Sequence, residues 1–419
     1  MKKLVSMLLS LVILTAMLVG IGSMAFAEGD TIKIGLLANY SSIAVGYLTP
    51  GAYYAVNEIN EKGGVNGKKV EIVYRDTNGD AANLIQKLTE LKDEGVVAII
   101  GPDSDSMTPA TAKWAEENKI VVIAPCSFST MVALEAHSKY FFDTGLSAWA
   151  CINAFHNDIQ DKGYERYVCI GTDGSASTDL INLSAKIFEE EQTTAVQVTS
   201  GSSDFSSVIM ALMGANPDFT ISCISATTWT SYYEQAMLMG MYDDITAYGW
   251  EFIDSLYVYS LGDDYPVGHF RGVLGWPHCV QETDEQKAMT QGFLAASKEQ
   301  FGQDVTPGAQ MMMWYISARS VFEALEAIGN NECTSDELVA ALEKVEFSTP
   351  WHAYAKYRTM DHVLEIPYTF ATVEWDDQAA RTLKLSDVVS FDAEDLLPTY
   401  EEYVEYAKEQ NMEMTWSME

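Results

Sequence analysis

Basic residues are scarce in this chain. Only 25 Lys and Arg stand against 60 Asp and Glu over 419 residues, a formal charge of −35. That balance disfavours nucleic acid and anionic membrane surfaces as partners, because both call for a cationic face; the acidity reads as a solvated surface. The six cysteines (Cys126, Cys151, Cys169, Cys223, Cys279, Cys333) include no Cys-x-x-Cys pair, which argues against a zinc knuckle or a dithiol redox motif. Cys169 and Cys223 lie in apolar runs, where a small buried thiol is the expected role. The six histidines have no metal-ligand spacing, and His352 and His362 fall in an irregular segment. Gly-x-Ser-x-Gly, His-Glu-x-x-His and phosphate-loop patterns are missing, and Gly174-Ser175-Ala176-Ser177 lacks the flanking glycines of a nucleophile elbow. A secreted hydrolase is therefore the remotest reading, no metal or cofactor is implied, and the chain is expected not to be an enzyme. No solenoid repeat and no low-complexity linker is present.

Long apolar runs are limited to one. Lys2 and Lys3 precede Leu4 to Ile21, and the run closes at Ala25-Phe26-Ala27, the small-x-small pattern that signal peptidase cuts after. A retained anchor is the alternative, since the run approaches the length of a bilayer span. The cleavage pattern and the polar Glu28-Gly29-Asp30 favour removal of residues 1–27. Loss of Lys2 and Lys3 takes the charge from −35 to −37. No cysteine lies near the cut for a lipobox, so a periplasmic or secreted product is expected.

What remains is an alternation of short apolar runs with helical patterns. Ile32 to Leu37, Val70 to Tyr74, Val96 to Ile100 and Ile120 to Ala124 read as strands, with helices over Gly51 to Lys62, Leu84 to Glu94 and Pro109 to Asn118 between them. The rhythm restarts after Phe141-Phe142-Asp143-Thr144-Gly145. Strands at Tyr167–Gly171, Ala195–Val198, Phe219–Ile224 and Ile245–Tyr248 alternate with helices at Thr178–Gln192, Phe205–Met213 and Thr230–Met239. Such alternation implies right-handed βαβ units and parallel sheets, hence an α/β fold of two Rossmann-like lobes. Residues 282–329 read as mostly helical, 347–375 as strands returning to the body, and Tyr400 to Gln410 as a terminal helix. About 390 residues exceed what one core usually holds, in keeping with two lobes and a cleft at the carboxyl ends of their strands.

In this order and spacing the chain resembles the type I periplasmic binding proteins of the branched-chain amino acid group, which feed ABC transporters. The carriers are Ile32-Lys33-Ile34-Gly35, Gly51-Ala52 through Ala55-Val56-Asn57-Glu58-Ile59-Asn60, and Gly63-Gly64-Val65-Asn66-Gly67-Lys68-Lys69-Val70. Ala98-Ile99-Ile100-Gly101-Pro102, Ile120 to Pro125, Asp204-Phe205 and Gln235-Ala236 with Gly240 follow. The resemblance implies three hinge crossovers, placed near Asp143, Gly272 and Trp351. It also implies an N-terminal lobe of 28–143 plus about 279–350, a C-terminal lobe of 144–278 plus about 351–395, and a helix and tail over 396–419. Closure of the lobes over a small ligand, an amino acid or a related amide or amine, is the implied mechanism. The implied partners are ABC permease and ATPase subunits; nucleic acid is not among them, and a monomer is expected. A sensor of the same fold, reporting to a receptor, is the alternative.

A zwitterion needs hydroxyls and free amides for its carboxylate, a carboxylate for its ammonium and an apolar wall. Ser104 and Ser106, between a strand end and a helix start, are candidates for the first role, with capping of the helix by one of them or by Asp105 as the alternative; Asp105 is itself a candidate ligand-binding residue. Cys126, Ser127 and Phe128 follow the next strand and should face the same cleft. From the other lobe, the resemblance assigns Glu251 to the ligand ammonium. Tyr47, Trp149, Trp229 and Trp250 are candidate walls, each with ordinary packing as the alternative, and Ser225 is a further ligand-binding candidate. Asp105 stands where the amino acid binders carry serine, Phe128 where they carry threonine and Ser225 where they carry tyrosine. Thr77 and Ser104 stand where some relatives carry a small disulfide. An acidic side chain at 105 repels a ligand carboxylate unless it is protonated or turned away.

Overall fold

The computed structural model describes residues 31–417, apart from residues 42, 136, 254, 263–267, 275–280, 303, 306–307, 378–381 and 413. The leader and Cys279 lie outside the described residues. Five strands, β1 (Thr31–Ala38), β2 (Lys69–Asp76), β3 (Ala98–Ile100), β4 (Val121–Ala124) and β5 (Phe141–Asp143), form one parallel sheet in the order β2-β1-β3-β4-β5. Strands covered on both faces read as unbroken apolar runs, as in Ala98-Ile99-Ile100 and Val121-Val122-Ile123-Ala124, every residue of which is buried.

A second sheet contains β6 (Arg166–Thr172), β7 (Glu191–Val198), β8 (Phe219–Cys223), β9 (Thr246–Tyr248) and β10 (Phe270–Leu274) in parallel. After the small ladder of β11 (Lys356–Tyr357) with β12 (Leu364–Glu365), β13 (Tyr368–Asp377) and β14 (Thr382–Phe391) complete this sheet antiparallel at one edge. The order is β14-β13-β10-β9-β8-β6-β7.

Helix Ala309–Ile328 is the centrepiece. It has buried residues all round, with Met311 through Ser317 without a break, the pattern of a helix enclosed by other elements. It packs on helix Pro50–Glu61, which starts at a proline in its first turn and buries Gly51, Ala52, Ala55 and Val56. Capping boxes set the starts of helices Asp284–Phe301, Ser335–Leu342 and Tyr400–Glu409, at Thr283/Gln286, Thr334/Glu337 and Thr399/Glu402.

Several expectations change. The helix read over Thr178–Gln192 spans Ser175–Ile187, and Gln192 lies in β7. Pairing of β7 along β6, starting at Arg166 with Glu191, overrides the helical propensity of the glutamate run. Gly272, near which a crossover is expected, pairs with Ala371 inside β10, and the residues just after that strand, 275–280, lie outside the described ones. Helix Ala148–Ile159 and strands β5, β10 and β14 were not anticipated. The terminal helix is not a loose tail: Tyr403 and Tyr406 are buried against Trp149, and Trp416 Nε1 donates to the Ala133 carbonyl at 2.8 Å.

Candidate functional site: a cleft at the strand ends

The carboxyl ends of β1, β3, β4 and β5 converge through close backbone approaches. Gly101, at φ +128°, takes a conformation that disfavours side chains, and a Cβ there would lie 2.1 Å from the Leu37 carbonyl oxygen. Gly145 allows the segment after β5 to touch the loop after β4, since a Cβ would meet the Ser127 carbonyl oxygen at 1.5 Å. Gly145→Ala is therefore expected to destabilise the protein by roughly 1–3 kcal/mol through overpacking. A urea midpoint equal to that of the parent would refute this reading of the contact.

Asp105 Oδ1 accepts the Phe128 amide at 2.8 Å, tying the loop after β3 to the loop after β4. Burial pushes the Asp105 carboxyl up to about 6; the Phe128 amide opposes the rise and nearby Asp179 adds to it. Asp179, on helix Ser175–Ile187, reaches across from the second sheet: it accepts the Thr130 amide at 2.5 Å and the Tyr406 hydroxyl at 2.7 Å, and burial raises it to about 6. Asp143 accepts the Gly145 amide at 2.7 Å beside Ser127, and burial pushes it up to about 8. Asp103 accepts the Asn39 amide at 3.0 Å and is also raised by burial.

The other candidates divide. Ser104 and Ser106 bond to each other at 2.9 Å, and the Ser104 carbonyl accepts the Thr108 hydroxyl at 3.3 Å, so this pair organises the helix start. Ser127 is buried. Cys126 receives Trp314 Nε1 at 3.4 Å, and burial raises its thiol well above the usual range. Phe128 and Trp250 face each other from the two sheets, ring centroids 6.2 Å apart, and Trp250 meets Tyr257 edge-on at 5.6 Å. Ser225 is held to Thr172 of β6 through its amide at 2.8 Å and its hydroxyl at 3.2 Å. Tyr47 closes a half-buried turn against the first core.

Trp149 is placed elsewhere. It is 2% exposed and stacks edge-on against Tyr403 and Tyr406, which makes it a packing residue for the terminal helix. Trp229 is likewise enclosed, among Tyr233, Phe252 and Tyr257. Glu251 follows Trp250 in the turn Trp250–Ile253, and its side chain lies outside the described residues. Asp143, Asp179 and Tyr257 were not singled out from the sequence. An aspartate at a parallel strand end was the available signal for Asp143; nothing local marks Asp179, because its partners are far away in sequence.

Two sheets whose strand ends meet across one aromatic and acidic cleft define a two-lobed solute-binding protein. The periplasmic binding protein family model matches residues 31–380, and the chain belongs to that family, in its type I, branched-chain amino acid group. The leucine-, isoleucine-, valine-, threonine- and alanine-binding protein of Pseudomonas aeruginosa is 22% identical over 369 residues, 84% of this chain and 92% of its own. Among solved structures, an ABC transporter solute-binding protein of Rhodopseudomonas palustris in complex with 4-hydroxybenzoate superposes with a TM-score of 0.73 at 18% identity, covering 87% of this chain and 97% of its own. The branched-chain amino acid binding protein LivJ of Streptococcus pneumoniae, in complex with isoleucine, gives 0.70 at 19% identity, covering 86% and 99%. Members of this family are extracytoplasmic binding proteins of ABC transporters, not enzymes. No helix among the described residues is long and apolar enough to cross a membrane.

Proposed function

We propose that this chain is the solute-receiving component of an ABC importer, exported through its N-terminal leader, which closes two lobes over a small amino-acid-like ligand and delivers it to a membrane permease. The lobe boundaries lie near residues 143, 279 and 351. The observation that carries this reading is the pairing of Phe128 and Trp250 across the strand ends of the two sheets, a wall that is complete only when both lobes contribute. Aromatic faces on opposite lobes suit capture by hinge closure, because each ring buries apolar ligand surface that the open form leaves wet.

A thermal-shift panel of amino acids, amides, amines and aromatic acids tests it. A ligand held at one hundred times its dissociation constant adds about 2.7 kcal/mol of stability. Trp250→Ala is expected to weaken the strongest hit about tenfold or more, the scale of one lost aromatic contact with its buried area. Unchanged affinity in that variant would remove Trp250 from the site.

A further inference from the structure

The segments that follow β1 to β9 (residues 39–47, 77–80, 101–107, 125–129, 144–147, 173–174, 199–205, 224–225 and 249–253) contain no Lys, Arg or His. They do contain Asp80, Asp103, Asp105, Asp173, Asp204 and Glu251, and Asp143 stands at the end of β5. A ligand carboxylate entering here meets no side-chain cation from these segments. It would have to rely on backbone amides, the usual alternative at strand ends and helix starts.

Three amides of these segments, and that of Thr130 just beyond them, are already occupied. Phe128 N donates to Asp105 at 2.8 Å, Gly145 N to Asp143 at 2.7 Å, Thr130 N to Asp179 at 2.5 Å and Asn39 N to Asp103 at 3.0 Å. The protein's own carboxyl groups take the positions that a carboxylate ligand would use, and they do so in both loops nearest Phe128. A second anion would displace one of these bonds and approach the Asp105 carboxylate, which costs at close range in a half-buried site. A cation meets the reverse situation: the Asp105 carboxyl bound at the Phe128 amide, beside the rings of Phe128 and Trp250, the latter backed by Tyr257.

We infer that the cleft selects an organic cation, an amine or quaternary ammonium on an aromatic or aliphatic body, and discriminates against solutes recognised through a free carboxylate. This rests on the solute-binding reading above and names the chemical class of its ligand.

Isothermal titration with phenethylamine, choline, 3-phenylpropionate, phenylalanine, leucine and 4-hydroxybenzoate decides it. Phenethylamine and 3-phenylpropionate share an aromatic body and differ in charge. At least one of the two cations is expected to bind, with 3-phenylpropionate about 100-fold weaker than phenethylamine or choline, the scale of a buried like-charge contact. Asp105→Ser, which frees the Phe128 amide and removes one negative charge, is expected to bring carboxylate binding within about tenfold of cation binding. That gain of binding cannot come from misfolding. Any carboxylate binding the parent protein as tightly as the cations overturns the class while leaving a solute-binding protein. Silence of both cations overturns it too, and whether leucine or 4-hydroxybenzoate then binds decides separately whether the solute-binding reading stands.

Discussion

Asp361→Ala is expected to lower the stability of the protein by roughly 3–5 kcal/mol, the cost of leaving one half of a buried ion pair without its partner. The Asp361 side chain is fully buried, and Arg358 is bound to it through both Nε and Nη2. The same carboxylate accepts the Val363 amide at 3.2 Å and the Tyr403 hydroxyl at 3.0 Å. Arg358 in turn donates to the Pro398 carbonyl at 2.7 Å. One carboxylate therefore holds the chain entering β12, the approach to the terminal helix and the helix itself. Val363 also bridges to Asp143 at the end of the first sheet, which puts this network beside a crossing between the two sheets. Urea unfolding measures the effect. A loss below about 1 kcal/mol would mean that Pro398 and Tyr403 alone satisfy Arg358, and that the pair is no stronger than an exposed one.

The terminal helix falls where the sequence places it, over Tyr400–Glu409, but this network shows that its packing was not legible there. From Tyr400 onward the sequence is an acidic helix of ordinary amphipathicity, and nothing within it tells that Tyr403 and Tyr406 are buried by Trp149 and by carboxylates at positions 361 and 179. Period and propensity, in contrast, are local, and they located β1 through β4, their helices and the long helix Ala309–Ile328 within a few residues. They failed where partners are remote: β14 takes its place only by antiparallel pairing with β13, and β7 takes residues with good helical propensity. The site follows the same division. The loops after β3, β4 and β9 were legible as strand ends, and they do bring Asp105, Phe128 and Trp250 together. The direction in which Asp105 turns was not, because it depends on an amide 23 positions away. Trp149 follows a strand end in sequence, as a cleft residue would, but helix Ala148–Ile159 turns it toward the terminal helix.

In the absence of ligand, stability is expected to fall as pH rises from about 6.5 to 7.5, with Asp143 responsible for the slope. Its carboxyl is raised by burial to about 8, well above an unfolded aspartate. A group whose folded value is raised contributes stability that is complete below its unfolded value and is lost as pH climbs through the folded one. Asp105 and Asp179, both raised to about 6, act in the same direction but have finished by neutral pH. Between about 4 and 6.5 they are opposed by His137, whose burial next to His362 lowers it to about 4 and which therefore favours the fold as pH rises. Since the buried Cys126 and Cys169 thiols, also raised by burial, add to the fall only nearer 8.5, the interval from 6.5 to 7.5 isolates Asp143. The groups facing it there are Ser127, the Gly145 amide, Asp105 and Asp361. Each pH unit across which the folded state holds one proton more than the unfolded state lowers stability by about 1.4 kcal/mol. Urea midpoints at pH 6.5, 7.0 and 7.5 should therefore descend for the parent and stay level for Asp143→Asn, which keeps an acceptor for the Gly145 amide without the ionisation. A rising profile in the parent would mean that Asp143 is ionised in the fold and stabilised by a partner. An ammonium ligand held close to these carboxyls should weaken the descent, since it favours the charged form whose isolation in the empty cleft is the source of the instability.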